Sequence, residues 1–498
     1  MIFILLTVLS AILIVTSSLV PPLCWLGFVA FIPALWALDK KATAKAWSLG
    51  GALLFFFVAI GAYYWVYTVA HYFGDLSRPL ALLLVPIFGL LNIWQALVGF
   101  LLFAWLRDKV SVRPSLLFAL SFSLAWHQIP AIFFWDISLL ISGWLPFLQS
   151  LDLFGSFGLD FFILFFNYEM FLWMKTRRWN RGTFIALVLF LLNIGYGFWR
   201  IADIKPQLEN APKVTVTLIQ PNIESREKIN PLFIDQSLGT LLSLTDQAIR
   251  NHPTDLIVWP ESVFPLPYRF DAQLQRVLKQ SVHDWNADLF FGGNDYYQEG
   301  GEITPFNAAY FLNPGKEEFQ VYHKHILLAF GEFLPFSDIF PKIREWFPVR
   351  IGNFGKGPGA ITLSGKNYTF NPLICYESTQ SDFIRANANL HSDFMVEISN
   401  DGWYLDTNAI RYHKELAKLR AIENRKGIVR TTNTGITNFF DPIGREESRL
   451  PIQTGAIGLA LVPKVQLFSL FSSIGFWLKK LGLAFLIFFI FQARFTRR

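Results

Sequence analysis

The sequence predicts a multi-pass α-helical membrane domain of about eight spans joined to an α/β layered domain, and three observations lead there. The chain is 53% apolar with 52 phenylalanines and has a mean hydropathy of +0.37, more hydrocarbon than a globular surface can hide from water. Its charges are uneven: residues 1–200 hold few acids or bases, whereas 205–464 carry mixed charge and Gly-Pro turns like an ordinary soluble domain. Apolar runs of about 20 residues, long enough to cross ~30 Å of hydrocarbon, recur before that polar stretch and once after it.

Taken in order, the predicted spans fall near 2–20, 22–38, 47–70, 79–106, 114–135, 156–174, 183–200 and 473–493. They define a seven-span domain over 1–204, an extramembrane domain over 205–465, and a last span with a basic tail over 466–498. The first run has no basic segment before it and leads straight into another span, so it is expected to be retained rather than cleaved. Basic residues cluster at Lys40, Lys41 and Lys45, at Arg107, Lys109 and Arg113, at Lys175, Arg177, Arg178 and Arg181, and at Arg494, Arg497 and Arg498. With eight spans these groups share one side. By the positive-inside rule that side is cytoplasmic, which puts both termini inside and 205–465 outside. Lys479 and Lys480 break the pattern near the outer end of the last span, where snorkelling accommodates them.

The net charge of +6 therefore reports topology, and no nucleic-acid partner is expected. Two cysteines, Cys24 in an apolar run and Cys375 in the polar domain, cannot build a disulfide framework, so Cys375 is expected to be a free thiol. Among charged residues in or beside the spans, Asp75, Arg78, Asp136 and Asp152 lie near predicted outer ends, while Glu169 lies deeper and receives no role.

In the polar domain, short β-rich apolar runs at 214–219, 255–259, 288–292, 371–375 and 393–398 read as buried strands. Helix-period segments at 231–250, 271–285 and 413–425 alternate with them, which makes an α/β layered domain the economical reading. Residues 203–212 read as the linker into it, and there is no solenoid-type repeat.

Three motifs carry chemistry. Trp259-Pro260-Glu261 ends a strand on a carboxylate, a good place for a general base, although an isolated Pro-Glu is more often a solvated turn acid. Lys324 and Glu332 lie eight residues apart across an apolar patch, as an oxyanion-stabilising cation with its counter-ion or as a plain surface pair. His323 and His325 share a strand face with no third ligand, so no metal is expected. Cys375-Tyr376-Glu377 turns sharply out of a strand and would lift a thiol into a cleft; taken alone it reads more readily as a buried inert cysteine. A cysteine of ordinary pKa, about 8.5, needs a nearby base or cation to become a nucleophile, and the other two motifs offer both.

The order Glu, Lys, Cys with this wording resembles the nitrilase superfamily. Adding spans before and after the domain narrows the resemblance to the bacterial apolipoprotein N-acyltransferases. Further matching blocks are Gln220-Pro221-Asn222, Asn400-Asp401-Gly402-Trp403, Leu419-Arg420-Ala421-Ile422-Glu423 and Thr431-Thr432-Asn433-Thr434-Gly435. The resemblance implies a nitrilase-like αββα sandwich, with Glu261 as general base, Lys324 as oxyanion stabiliser and Cys375 as acylated nucleophile. Glu332, Tyr376 and Glu377 would support them. Two departures, Ala329 where the family often has proline and Ile229 where some members carry tryptophan, bear on lid conformation or substrate choice.

The same resemblance implies a bacterial inner-membrane enzyme that needs no cofactor. Its acyl donor would be a membrane phospholipid, typically phosphatidylethanolamine. Its acceptor would be the free amine of a diacylglyceryl-modified apolipoprotein, held in the same bilayer, and a Cys375 thioester would link the two half-reactions in ping-pong order. Phe333-Leu334-Pro335-Phe336 and the run through Trp346 and Phe347, with Lys342, Arg344 and Arg350 interleaved, is expected to be an interfacial lid. Trp403 is a further candidate substrate contact. The competing readings are a membrane-tethered amidase or hydrolase in which water resolves the thioester, and a non-enzymatic lipoprotein-binding scaffold.

Overall fold

The computed structural model describes residues 1–39, 43–224, 234–299, 301–337, 339–346 and 352–495. The chain divides into two compact units, Met1–Ile204 with Ser469–Arg498, and Lys205–Phe468.

In the first unit, seven helical stretches among the described residues are long and apolar enough to cross a membrane: Ile2–Leu19, Pro21–Asp39, Ala44–Ala62, Arg78–Leu106, Leu151–Thr176, Arg181–Asn210 and Leu470–Phe495. Three of them are broken, Leu151–Thr176 at Gly155, whose φ of 61° and ψ of -174° are not helical. The second opens as a 3-10 segment, Pro21–Phe28, before the α-helix Ile32–Asp39, and the fourth is a pair, Arg78–Leu91 and Trp94–Leu106, with Pro86 inside the first member. The expected span at 114–135 is instead a 15-residue helix, Pro114–Gln128, only about 22 Å long at 1.5 Å per residue. It stops because Ile129 precedes Pro130 and takes an extended conformation, as the proline ring requires of the residue before it. Buried Ser115, Ser121 and Ser123 also lower its hydropathy.

Phenylalanine packs this unit through ring edges and faces. Phe55, Phe122 and Trp126 meet pairwise at 4.9–5.6 Å between centroids, a geometry worth about 0.5–1.5 kcal/mol per pair beyond area burial. The deep Glu169 is fully buried and accepts hydrogen bonds from Arg113 and Ser115. Asp152 accepts from Tyr196 at 2.7 Å and Arg200 at 2.9 Å. The expected linker at 203–212 is mostly helix, since Arg181–Asn210 runs unbroken through Pro206.

The second unit holds thirteen strands among the described residues: β1 Lys213–Gln220, β2 Leu256–Val258, β3 Phe264–Pro267, β4 Asp288–Glu299, β5 Glu302–Leu312, β6 Gln320–His323, β7 Leu363–Ser364, β8 Thr369–Ile374, β9 Phe394–Ser399, β10 Ile428–Thr432, β11 Asn438–Phe440, β12 Glu446–Glu447 and β13 Ala456–Pro463. One sheet has the order β13-β1-β2-β4-β5-β6 with β3 beside β4, and the other β12-β11-β10-β9-β8-β7. Within each, the central strands are parallel: β1 with β2 and β2 with β4, then β8 with β9 and β9 with β10.

Strand alternation builds the layers. Leu256 and Val258 point into a core shared by both sheets, with Phe290, Phe370, Met395 and Val429, while Ile257 and Trp259 point the other way. There they meet Leu241 of helix Ile234–Asn251 and Leu274, Leu278 and Val282 of helix Ala272–Trp285. On the second sheet, helix Asn408–Asn424 packs against β10 and β11. The result is helix, sheet, sheet, helix: the α/β layering expected from the strand runs, in the αββα form that the nitrilase resemblance implies.

Candidate active site

Four strands deliver side chains to this site at their carboxyl ends, three of them in parallel pairs and the edge strand β6 antiparallel to β5. β2 leads into Glu261, β6 into Lys324, β8 into Cys375, and β9 into Asn400 and Asp401. Glu261 occupies a tight turn with Ser262 at φ 51°. Gly292 of β4 runs against it so closely that a Cβ there would lie 2.6 Å from Glu261 Cα, so only glycine admits the approach.

Lys324 is almost wholly buried, 1% exposed, as are Glu261 and Glu332 at 6% and 9%. Its Nζ donates to Glu332 Oε1 at 2.9 Å and lies 3.6 Å from Glu261 Oε1. Asn307 Nδ2 bridges the two carboxylates, donating to Glu261 Oε1 at 2.7 Å and Glu332 Oε1 at 2.6 Å. The backbone N–H of Asn400 donates to Glu261 Oε2 at 2.8 Å and that of Leu328 to Glu332 Oε2 at 2.8 Å. Burial opposes the ammonium charge of Lys324, but the Glu332 and Glu261 carboxylates outweigh it and hold its pKa above the ordinary lysine value. The lysine stays cationic.

Cys375 opens a one-turn helix, Cys375–Thr379, and is itself at φ 51°. A non-glycine residue in that left-handed region costs about 1–2 kcal/mol, and the turn is held against it by Glu377. This fully buried carboxylate accepts from the backbone N–H of Ile374 at 2.8 Å on one oxygen. On the other it accepts from Tyr322 Oη at 2.7 Å and from the backbone N–H groups of His325 and Ile326 at 2.7 and 3.1 Å. Glu377 thus ties the strand-end loop that carries Lys324 to the turn that carries Cys375. Burial pushes its carboxyl up to about 7 even though these donors pull it down. Burial also pushes the Cys375 thiol up; the Glu261 charge adds to this, and Lys324 opposes it without cancelling it. The resting sulfur is therefore a thiol, and attack by it requires a proton acceptor.

Glu261, Lys324, Glu332, Cys375 and Glu377 are thus one constellation in this unit, and Tyr376 is buried beside Cys375. Trp403 lies in the short helix Asp401–Tyr404 with its side chain partly exposed, whereas the neighbouring Tyr404 is buried within electrostatic reach of Cys375. Trp346 closes the 3-10 helix Pro341–Trp346, and Phe347 and Ile229 lie outside the described residues. Phe336, Ile339 and Phe340, near the start of that segment, are exposed. His323 and His325 go separate ways, His323 to Asp295 at 2.8 Å and His325 to the Gly357 carbonyl at 2.6 Å.

Among the described residues, one trio has metal-ligating atoms within 4.8 Å of one another: His127, Asp136 and Asp160, in the membrane unit. Asp160 already accepts from His127 at 2.9 Å and from the backbone N–H groups of Ile137 and Ser138 at 3.2 and 2.6 Å, which serves both of its oxygens. Sequence reasoning did not find Asn307 or the polar cluster behind Cys375. Asn307 sits mid-strand with no motif around it, and its only sequence signal is a polar residue in an otherwise apolar stretch of β5.

A carboxylate, a cation and a thiol on a layered α/β sandwich, in a chain that also carries a bundle of apolar helices, define a membrane-borne enzyme of the carbon–nitrogen hydrolase class. Residues 215–457 match the carbon–nitrogen hydrolase family and residues 10–168 the apolipoprotein N-acyltransferase N-terminal domain. The apolipoprotein N-acyltransferase of Geobacter metallireducens is 27% identical over 91% of this chain and 88% of its own. Those of Chlorobaculum tepidum and Bdellovibrio bacteriovorus are each 29% identical, over 89% and 86% of this chain and 86% and 82% of their own. The chain belongs to the apolipoprotein N-acyltransferase family, and is a bacterial membrane protein and an N-acyltransferase.

Proposed function

We propose that Cys375 takes an acyl chain from a membrane phospholipid, with phosphatidylethanolamine the expected donor, and passes it to the N-terminal amine of a diacylglyceryl-cysteine apolipoprotein. The observation that carries this reading is the buried thiol at φ 51° under the influence of both Glu261 and Lys324. Glu261 accepts the thiol proton as sulfur attacks the ester carbonyl, and Lys324 faces the negative charge that develops on the carbonyl oxygen. The C–O bond to the glycerol breaks, the proton passes from Glu261 to the departing alkoxide, and lysophospholipid leaves a thioester behind. The amine then attacks the thioester carbonyl. Its C–N bond forms as the C–S bond breaks, and the amine proton returns through Glu261 to sulfur.

Asn307 and Glu332 hold the Glu261–Lys324 pair in register, and Glu377 holds the loop against the cysteine turn. In this reading the extramembrane domain is periplasmic and both termini are cytoplasmic. The basic groups around residues 40–45, 107–113 and 175–181 support that assignment, because they require an even number of crossings between 113 and 175. Helix Pro114–Gln128 must then pair with Leu151–Thr176 across the bilayer despite its length. The exposed Phe336, Ile339 and Phe340 support the apolar lid expected for this stretch of sequence, and the partly exposed Trp403 remains a candidate substrate contact.

Detergent-purified protein incubated with phosphatidylethanolamine and a diacylglyceryl-cysteine peptide tests the reading. It predicts N-acyl peptide and lysophospholipid in equal amounts. Free fatty acid without N-acyl peptide would overturn it in favour of a hydrolase.

A further inference from the structure

Behind Cys375 lies a cluster of four buried charged or titratable residues, Glu397, Asp401, His413 and Arg430. Arg430 donates from Nε to Glu397 Oε1 at 3.0 Å, from Nη2 to Asp401 Oδ2 at 2.9 Å, and from Nη1 to the Ile436 carbonyl at 3.0 Å. Ser399 Oγ donates to Asp401 Oδ1 at 2.9 Å. His413, on helix Asn408–Asn424, turns Nδ1 toward Asp401 Oδ1 at 3.1 Å and Arg430 Nη2 at 2.8 Å. Its Nε2 lies 3.0 Å from the Cys375 carbonyl oxygen, 3.1 Å from Glu397 Oε1 and 3.2 Å from Ser378 Oγ.

These surroundings fix one proton. Nε2 faces a carbonyl and a carboxylate, both obligate acceptors, so Nε2 carries hydrogen whether or not Nδ1 does. Burial and Arg430 disfavour the imidazolium, but Glu397 and Asp401 outweigh them and push its pKa up to about 9. A buried group of this kind is expensive, and well-packed apolar side chains join helix to sheet equally well. The backbone it grips is the strained turn of the nucleophile.

We propose that His413 is a positioning residue for acyl transfer: its Nε2–H, held by the Glu397–Asp401–Arg430 cluster, fixes the plane of the Cys375–Tyr376 peptide and thereby aims the Tyr376 N–H at the oxyanion. Because the peptide is planar, anchoring the Cys375 carbonyl sets the direction of the N–H on its other side. The same hydrogen bond polarises the amide and makes that N–H a stronger donor. This inference rests on the functional reading above, since it assigns the oxyanion to an ester or thioester attacked by Cys375.

The test uses the detergent-solubilised full chain and two variants, His413→Gln, which keeps an N–H donor within reach of the carbonyl, and His413→Leu, which keeps bulk but no donor. Two rates are read at Cys375: acylation by p-nitrophenyl butyrate, which passes through an oxyanion, and alkylation by iodoacetamide, which does not. His413→Leu is expected to slow acylation by roughly tenfold or more while alkylation stays within about threefold, and His413→Gln to recover most of the acylation rate. Equal acylation in His413→Leu and the unchanged chain would overturn the proposal, as would a His413→Gln rate as low as that of His413→Leu. Should His413→Leu not fold, His413→Met takes its place, with bulk and no N–H donor: acylation slowed roughly tenfold with alkylation intact supports the role, and acylation equal to that of the unchanged chain overturns it. Failure of phospholipid to acylate the unchanged chain would strike the functional reading alone, because the soluble ester tests His413 without it.

Discussion

The two units bury charge to different ends. In the membrane unit three buried acids are closed by neighbours that tie helices together: Glu169 by Arg113 and Ser115, Asp152 by Tyr196 and Arg200, Asp160 by His127 and two backbone N–H groups. In the second unit one group of buried charges gathers around a single residue, with Glu261, Lys324 and Glu332 to one side of Cys375, Glu377 under its turn and His413 at its carbonyl. A buried ion pair is weak evidence for stability in itself. Convergence on a backbone held at φ 51° distinguishes a chemical site from a helix staple.

The contrast breaks most visibly at Glu261. Glu261→Gln should keep one of the Asn307 and Asn400 contacts, since its amide has a single acceptor oxygen for two donors, and should remove the proposed proton acceptor, so transfer should fall by on the order of 10²- to 10⁴-fold, read as lysophospholipid release. Lys324→Met should cost on the order of 10²- to 10³-fold and also destabilise the domain, since it leaves the Glu261 and Glu332 carboxylates bridged by Asn307 without the Lys324 counter-charge. Calorimetry would show that loss.

Glu377→Gln sharpens the difference through pH. With a folded-state pKa near 7 against an ordinary 4.5, Glu377 holds its proton longer folded than unfolded. Its effect is a loss of stability as pH rises from about 4.5 to 7, totalling roughly 3 kcal/mol. The variant should flatten that slope in urea unfolding midpoints, while acylation falls about tenfold as the turn loosens. The smallest catalytic effect is expected in the membrane unit. Glu169→Gln should lower thermal stability by about 3 kcal/mol and leave the acylation rate per folded molecule unchanged; a rate loss would mean that the staple reaches the chemistry.

The fold was legible where local pattern and tertiary demand agree. The apolar runs ending at Trp259, Cys375 and Ile398 became parallel strands because a strand buried on both faces must be apolar throughout. Strand β5 was not legible: it alternates Phe306, Asn307, Ala308 and Ala309, and Asn307 is polar because it bridges two carboxylates 25 and 46 residues away in sequence. The helix Pro114–Gln128 was misjudged as a longer span because hydropathy counts the apolar residues past Pro130, while backbone geometry ends the helix at Gln128. The motif residues could be read because strand-end turns tolerate few sequences. His413 could not, since a histidine inside a helix is ordinary until its Cys375 partner, 38 residues away, is known.

The account stands or falls on sulfur. Intact-mass spectrometry of the purified protein with phosphatidylethanolamine, alongside Cys375→Ala, should show one acyl adduct on the unchanged chain and none on the variant, and the adduct should disappear as a diacylglyceryl-cysteine peptide gains mass by one acyl group. An unchanged mass while N-acyl peptide accumulates, or peptide acylation by Cys375→Ala, would contradict a Cys375 thioester.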